Sequence, residues 1–425
     1  MKIRYIYSAC VEIETKNLRI LCDPWFTDGI YDGSWFHFPK IKDALKIIKK
    51  PDIIYISHIH PDHYDPIFLK SLFKKYGDVK VIIPNLKKNY LLFKSKSDGI
   101  KTDPVDHLKI GQTNLHIVPN MEGSESDIDS SLYVNDGVNS FLNLNDCMWN
   151  NKQNKSLKKI INNYPGKIDL LALGYTGAGP YPQTYYDTKY QKKILKKKAK
   201  LKEDEFIKRY LRYKNFFKAK LHLPFAGKYI LGGKLHKLNQ YRGIIDPIEI
   251  KNYDNTAVIL ADAGKGLIDL DKRKITNVRK NPYTKKDFSK REKEIKKYKM
   301  SYEKDINIDP KEINFFRIIQ RAYQNALRKS EVKKDYYLLI NITFNEKSIG
   351  KYIFNCNKNK YEILPFKKII KPMSELKIDY RYLFGLLTGL YHWNNAEVGS
   401  HILTKRVPDK FNRSAQRFLN FFSCV

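Results

Sequence analysis

Apolar and polar residues alternate along "KIRYIYSACVEIET" and again along "LRILCDPW", with the period of two that strands require. Lys16 and Asn17 between them supply a turn. "IKDALKIIKK" predicts a helix, and "PDIIYIS" is the short apolar run of a buried strand. A polar loop, "HIHPDHYD", then leads into the predicted helix "PIFLKSLFKKYG". Pro66 stands at its first position, where a missing N–H costs nothing. "VKVIIP", "TNLHIVP", "SSLYVN" and "NSFLNLND" read as strands broken by Asn, Asp and Gly turns. "KSLKKIINNYPG" is helical and "KIDLLALGY" another buried strand, before a helical insertion over about 185–218. "AKLHLPFAGKYILGG" returns to strand and glycine-rich turn. Further strands are expected at "NTAVILAD", "YYLLINITF" and "KYIFNCN", with helical segments after "SELKIDYRYLFGLLTG". The pattern predicts an α/β fold of two mixed sheets between helices over 1–265. An α+β region over 266–425 is expected to pack on that sandwich or complete it.

At 425 residues with 42% hydrophobic content, the chain is long enough for one large or two ordinary folded domains. No run of 18 apolar residues occurs and the N-terminus alternates like a strand. Neither a membrane span nor a signal peptide is expected, which makes the cytoplasm the expected location. Cys10, Cys22, Cys147, Cys356 and Cys424 are odd in number and scattered, so no disulfide framework or thiolate metal knuckle is expected. The formal charge of +34 raises the question of nucleic acid. The lysines fall in runs such as "YQKKILKKKAKLK", which read as solvated helix faces in a Lys-, Asn-, Ile- and Tyr-rich chain. A small anionic substrate is therefore expected ahead of nucleic acid.

The chemistry concentrates in "SHIHPDHYDP". In an extended segment His58 and His60 point the same way and can grip one ion, while Asp62 and His63 face the same mouth from the turn into the next helix. Neutral imidazoles with a carboxylate suit Zn, Fe or Mn. Asp62 is also a candidate to orient a water or accept its proton. Trp35, in "DGSWFHF", and the aromatic stretch "LYHWNN" would suit stacking on a base or sugar face.

With H-x-H-x-D-H after a buried strand, the chain resembles the metallo-β-lactamase superfamily and its αββα sandwich. The resemblance implies a metal-bridging and catalytic role for Asp146 after "FLNLN", and a supporting role behind a ligating histidine for Asp23. Two further histidines usual in that superfamily lack obvious counterparts. Glu122 and Asp127 are the candidates for one, and His222 and His236 for the other, because His116 lies inside its strand and Phe225 ends the later one. One ion is thus better supported than two.

"YSACVEIE", "DPWFTDGIYDGSWFHFP", "LPFAGKY" and "GLLTGLYHWNNAEVGSHILTKRVPDKFN" are similar to the CMP-N-acetylneuraminate hydroxylase family beyond its Rieske domain. A more distant likeness extends to lactonase-type and phospholipase D-type hydrolases of the same fold. The hydroxylase resemblance implies that His392, Asn394, Asn395 and Glu397 close over the site as substrate ligands. No C-x-H…C-x-x-H iron–sulfur pattern occurs, so hydroxylation would need a separate Rieske or ferredoxin partner. Three readings follow. The first is a metal-dependent hydrolase of an anionic sugar or nucleotide-sugar type substrate. The second is the oxygen-activating iron subunit of a split hydroxylase. The third is a nucleic-acid-binding or non-catalytic derivative of the fold.

Overall fold

The computed structural model describes residues 1–121, 128–364 and 371–425, so Glu122 and Asp127 lie outside the described residues. Two sheets face each other. The first has eight strands. Lys2–Tyr7, Cys10–Glu14 and Arg19–Cys22 run antiparallel, then Ile53–Tyr55, Lys80–Pro84 and Asp103–Val105 continue in parallel. The hairpin Leu267–Asp269 with Lys274–Thr276 adds to the edge beside Lys2–Tyr7, so the first sheet extends past residue 265. The second sheet has six strands, of which Ser140–Asn143, Leu170–Gly174 and Leu221–Phe225 are parallel neighbours.

The alternation read from the sequence sets the core. Ile3, Val11, Ile13, Ile20 and Ile53 of one sheet meet Leu115, Leu132, Phe141, Leu170 and Leu223 of the other. The opposite faces bury Ile54, Ile56 and Val81 under the helix Pro66–Tyr76, and Leu171 and Leu173 under the helices Asn151–Ile161 and Lys192–Phe217. The long helix of the expected insertion is thus an outer layer of the sandwich, contributing Ile207, Tyr210, Tyr213 and Phe217 to its packing.

Two expectations fail locally. "IKDALKIIKK" forms a single turn, Ala44–Ile47, because Asp43 lies in the left-handed region and Ile48 is already extended three residues ahead of Pro51. "NTAVILAD" is apolar yet forms no strand; Ala257 and Leu260 make only isolated bridges, to His222 and Val278.

The C-terminal region builds a separate five-stranded sheet around Tyr337–Phe344, which pairs in parallel with Met373–Asp379. The helix Phe315–Lys329 covers it, burying Ile319, Ala322, Tyr323 and Ala326. This region reaches back to the sandwich: the Tyr382 hydroxyl donates to Asp32 (2.6 Å), and His401 Nε2 bonds the Tyr31 carbonyl (2.8 Å).

Candidate metal centre

Parallel strands deliver their following loops to one end of a sheet, where open α/β folds place their sites. Asp23 follows Arg19–Cys22, and His58 follows Ile53–Tyr55. Asp146 follows Ser140–Asn143, Thr176 follows Leu170–Gly174, and Ala226 follows Leu221–Phe225. These loops enclose a cleft of about 300 Å³ whose lining includes His58, His60, Asp62, Asp129, Asp146 and Arg209. Among the described residues, ligand atoms of His58, His63 and Asp146 lie within 4.8 Å of one another.

The expected histidine loop is assembled as a unit. His58 Nε2 and His60 Nδ1 are 2.8 Å apart, and His63 Nε2 is 3.4 Å from Asp146 Oδ2 and 3.6 Å from Asp62 Oδ2. Asp62 Oδ1 accepts from the Tyr31 hydroxyl at 2.5 Å. Tyr31 and Asp32 both sit in the left-handed region (φ 50° and 58°), a conformation that non-glycine residues hold only when their surroundings enforce it.

Asp23 stands behind the histidines. It accepts from the Ser57 amide (2.8 Å) and hydroxyl (2.8 Å), and lies 3.0 Å from His63 Nδ1. Having given its only proton to Asp23, the Ser57 oxygen must accept at His58 Nδ1 (3.0 Å) and His63 Nδ1 (3.2 Å). Both rings then carry hydrogen on Nδ1, which leaves Nε2 as the nitrogen that would ligate an ion.

Charge at the centre is unbalanced in favour of a cation. Burial alone would lower the His63 pKa, but Asp62, Asp23 and Asp146 outweigh it and push the ring well above its ordinary value. Burial likewise opposes the charge of Asp146, yet His63, with His58 and His60 behind it, holds the carboxyl well below the usual range. Asp129, which the motif reading did not single out, lies 3.3 Å from His58 Nδ1, and among the described residues its buried Oδ2 has no nitrogen or oxygen partner. An orphaned carboxylate oxygen beside imidazole donors fits a divalent cation, so the residues present suit a metal.

Two glycines keep the cleft open. A Cβ on Gly177 would lie 1.8 Å from the Phe206 ring, and one on Gly227 2.3 Å from Thr176 Cγ2. Arg209, from the outer helix, brings a guanidinium to the wall, stacked on Phe206 at 4.2 Å. No carboxylate pairs with it among the described residues, and burial lowers its pKa.

The other candidates divide. Asn394 is over the histidines, with Oδ1 3.1 Å from His60 Nε2. Trp35 lines the cleft but stacks face to face on Tyr229 (3.4 Å, 6°), as wall rather than as an open platform. His392 caps the helix Trp393–Val398 through the Asn394 amide. Asn395 sits one residue on from Asn394 in that helix, with its carbonyl bonded to Gly399. Glu397 turns away to accept from Tyr185 (3.0 Å) and lines a different, small cavity. His222 does not reach the cleft: register places it beside Leu171 on the outer face, 2.6 Å from Thr256 Oγ1 and 3.1 Å from Asp254. His236 bonds the Gly233 carbonyl inside its own 3₁₀ turn. His116 is half-buried on its strand, 2.8 Å from the Tyr164 hydroxyl and stacked on His107, and does not line the cleft.

Residues 2–128 match the beta-lactamase superfamily domain. The fold is that of the metallo-β-lactamase superfamily. The likeness to the hydroxylases also extends beyond the motifs. The cytidine monophosphate-N-acetylneuraminic acid hydroxylase of Danio rerio is 27% identical over 237 residues, covering 53% of this chain and 38% of that protein. The chain thus spans well under two thirds of that relative's length. Among solved structures, an isothiocyanate hydrolase from Delia radicum gut bacteria aligns with a TM-score of 0.44 at 13% identity, over 62% of this chain and 97% of that one. CmlA, a diiron β-hydroxylase from Streptomyces venezuelae, aligns with a TM-score of 0.40 at 13% identity, over 60% and 52%. Among the described residues no helix is long and apolar enough to cross a membrane.

Proposed function

We propose that this chain is a cytoplasmic metal-dependent hydrolase acting on a small anionic substrate of the sugar or nucleotide-sugar type. The observation that carries the reading is the grouping of His58, His63 and Asp146 beside a cleft that His58, Asp146 and Arg209 line. His58, His60, His63, Asp62, Asp146 and Asp129 are the residues that would hold the ion. A divalent ion there would supply a Lewis acid able to acidify a water and polarise a carbonyl or phosphoryl oxygen.

The protein's own part is positional. Ser57 and Asp23 fix the imidazole tautomers, and Tyr31 holds one oxygen of Asp62, so the other can accept a proton in the cleft. Arg209 would anchor the substrate's anion, with Asn394 covering the pocket beside His60. The aromatic wall at Trp35 and Tyr229 would exclude water.

A second reading, the oxygen-activating part of a hydroxylase supplied by a separate ferredoxin or Rieske donor, is favoured by the carboxylates. Asp62, Asp129 and Asp146 border the cleft beside His58 and His60, and two histidines with a carboxylate around one ion suit ferrous iron. Elemental analysis of protein purified anaerobically separates the two. Zinc or manganese with turnover in the absence of any electron donor is expected for the hydrolase; iron, with activity only on adding a reductant, would replace that reading by the second. His58→Ala with His60→Ala should abolish metal retention, and a double variant keeping its full metal load would reject the site itself.

A further inference from the structure

Tyr229 lines not only the histidine cleft but a second cavity of about 270 Å³. Its other walls include Phe38, Tyr175, Lys228, Arg242, Tyr283 and Phe288. Most of the charge around it is already balanced. Lys228 Nζ is held by Asp262 at 2.7 and 2.9 Å, and Asp246 is taken up by Arg279.

Lys285, also on the wall, is exposed, whereas Arg242 is buried. Its Nη1 donates to the Tyr229 carbonyl (2.8 Å) and the guanidinium is stacked on the Tyr229 ring at 4.3 Å. No carboxylate pairs with it among the described residues, and its Nε has no partner. On the same walls the Tyr175 hydroxyl is buried with no hydrogen-bond partner among the described residues, and the buried Tyr229 hydroxyl has only the Arg242 guanidinium beside it. Burying a guanidinium without a counter-charge, beside an unsatisfied hydroxyl, is strongly unfavourable. An anion in the cavity would satisfy both.

One side of the wall is aromatic. Phe38 packs edge-on against Tyr283 (5.2 Å) and Phe288 (5.1 Å), which suits a ring rather than an aliphatic chain.

We propose that this cavity is a second ligand site, separate from the histidine cleft, for a small molecule with a carboxylate or phosphate head on a planar apolar body. The head accepts from Arg242 Nε and the hydroxyls of Tyr175 and Tyr229, and the ring lies against Phe38 and Phe288. The site makes no use of the metal, so it stands or falls independently of the hydrolase reading.

Titration calorimetry of the full chain with phenyl phosphate and with benzoate tests it, on protein as purified and after removal of metal by a chelator. At least one probe should bind once per chain with the same affinity in both preparations, and the tighter of the two identifies the head group. Tyr175→Phe removes only an unpartnered hydroxyl, so it should fold normally while weakening binding about tenfold or more; Arg242→Gln should weaken it further. Absence of saturable binding by either probe, binding that disappears with the metal, or binding unchanged in Tyr175→Phe would each overturn the proposal.

Discussion

Tyr31 and Asp32 are adjacent residues with opposite obligations. Tyr31 turns inward to Asp62 at the centre of the cleft, while Asp32 turns outward to Tyr382 of the C-terminal region. Asp32 is held where a carboxylate is poorly solvated, and burial raises its pKa to about 6, against the hydrogen bond from Tyr382 that lowers it. Above about pH 6 the group is ionised in both folded and unfolded chains, and the folded state bears the desolvation cost. Below the unfolded value of 3.8 both states are protonated and the cost vanishes. Stability is therefore lost as pH rises between these limits. Asp32→Asn keeps the acceptor for Tyr382, tolerates the left-handed backbone and removes the charge. It should stabilise the protein by about 1–3 kcal/mol at pH 7.5 and by nothing below pH 4. Thermal melts across that range check this, and equal effects at both ends would show that burial of the charge is not the cause.

Among elements, the helix Lys192–Phe217 carries two surfaces. Lys192, Lys193, Lys196 and Lys197 are exposed, whereas Arg209 reaches the cleft. Replacing those four lysines by Gln should leave melting temperature and turnover of a small anionic substrate unchanged. Arg209→Gln should raise KM about tenfold or more with a smaller change in kcat, and the reverse pattern would assign polyanion binding to the lysine face. Much of the sandwich was legible because strand alternation and loop punctuation are local signals. His58, His60, Asp62 and His63 were legible for the same reason, being fixed by one strand end and one turn. Asp129 and Arg209 were not: each reaches the cleft through a tertiary crossing that no local spacing encodes. His222 misled because its strand was recognised but its face was not; a one-residue step in alternation separates the inner Leu223 from the outer His222. "NTAVILAD" has the composition of a strand, but only two of its residues find bridging partners.

At the scale of the whole molecule, the C-terminal core is tied to the sandwich by scattered hydrogen bonds rather than by a shared sheet. We propose that the region after the edge hairpin is a second unit, which brings Asn394 to His60. Its ties include Asp32 with Tyr382, Tyr31 with His401, and Lys234 with Asp379 at 3.3 Å. Leu235 packs against both the C-terminal core and the Trp25–Trp35 cluster. Calorimetry should accordingly give one unfolding transition, and two resolved endotherms would mean that the regions are stable apart. The bond from His60 to Asn394 spans 334 positions of the chain. During synthesis the histidine loop therefore leaves the ribosome long before the helix that will cover it exists. For that interval the candidate ligands are exposed to whichever ion is abundant, so metal identity would be set by the timing of folding as much as by affinity. Refolding with metal present should load the centre faster than adding the same metal to finished protein. Equal loading rates would mean that the covering helix is no barrier to exchange.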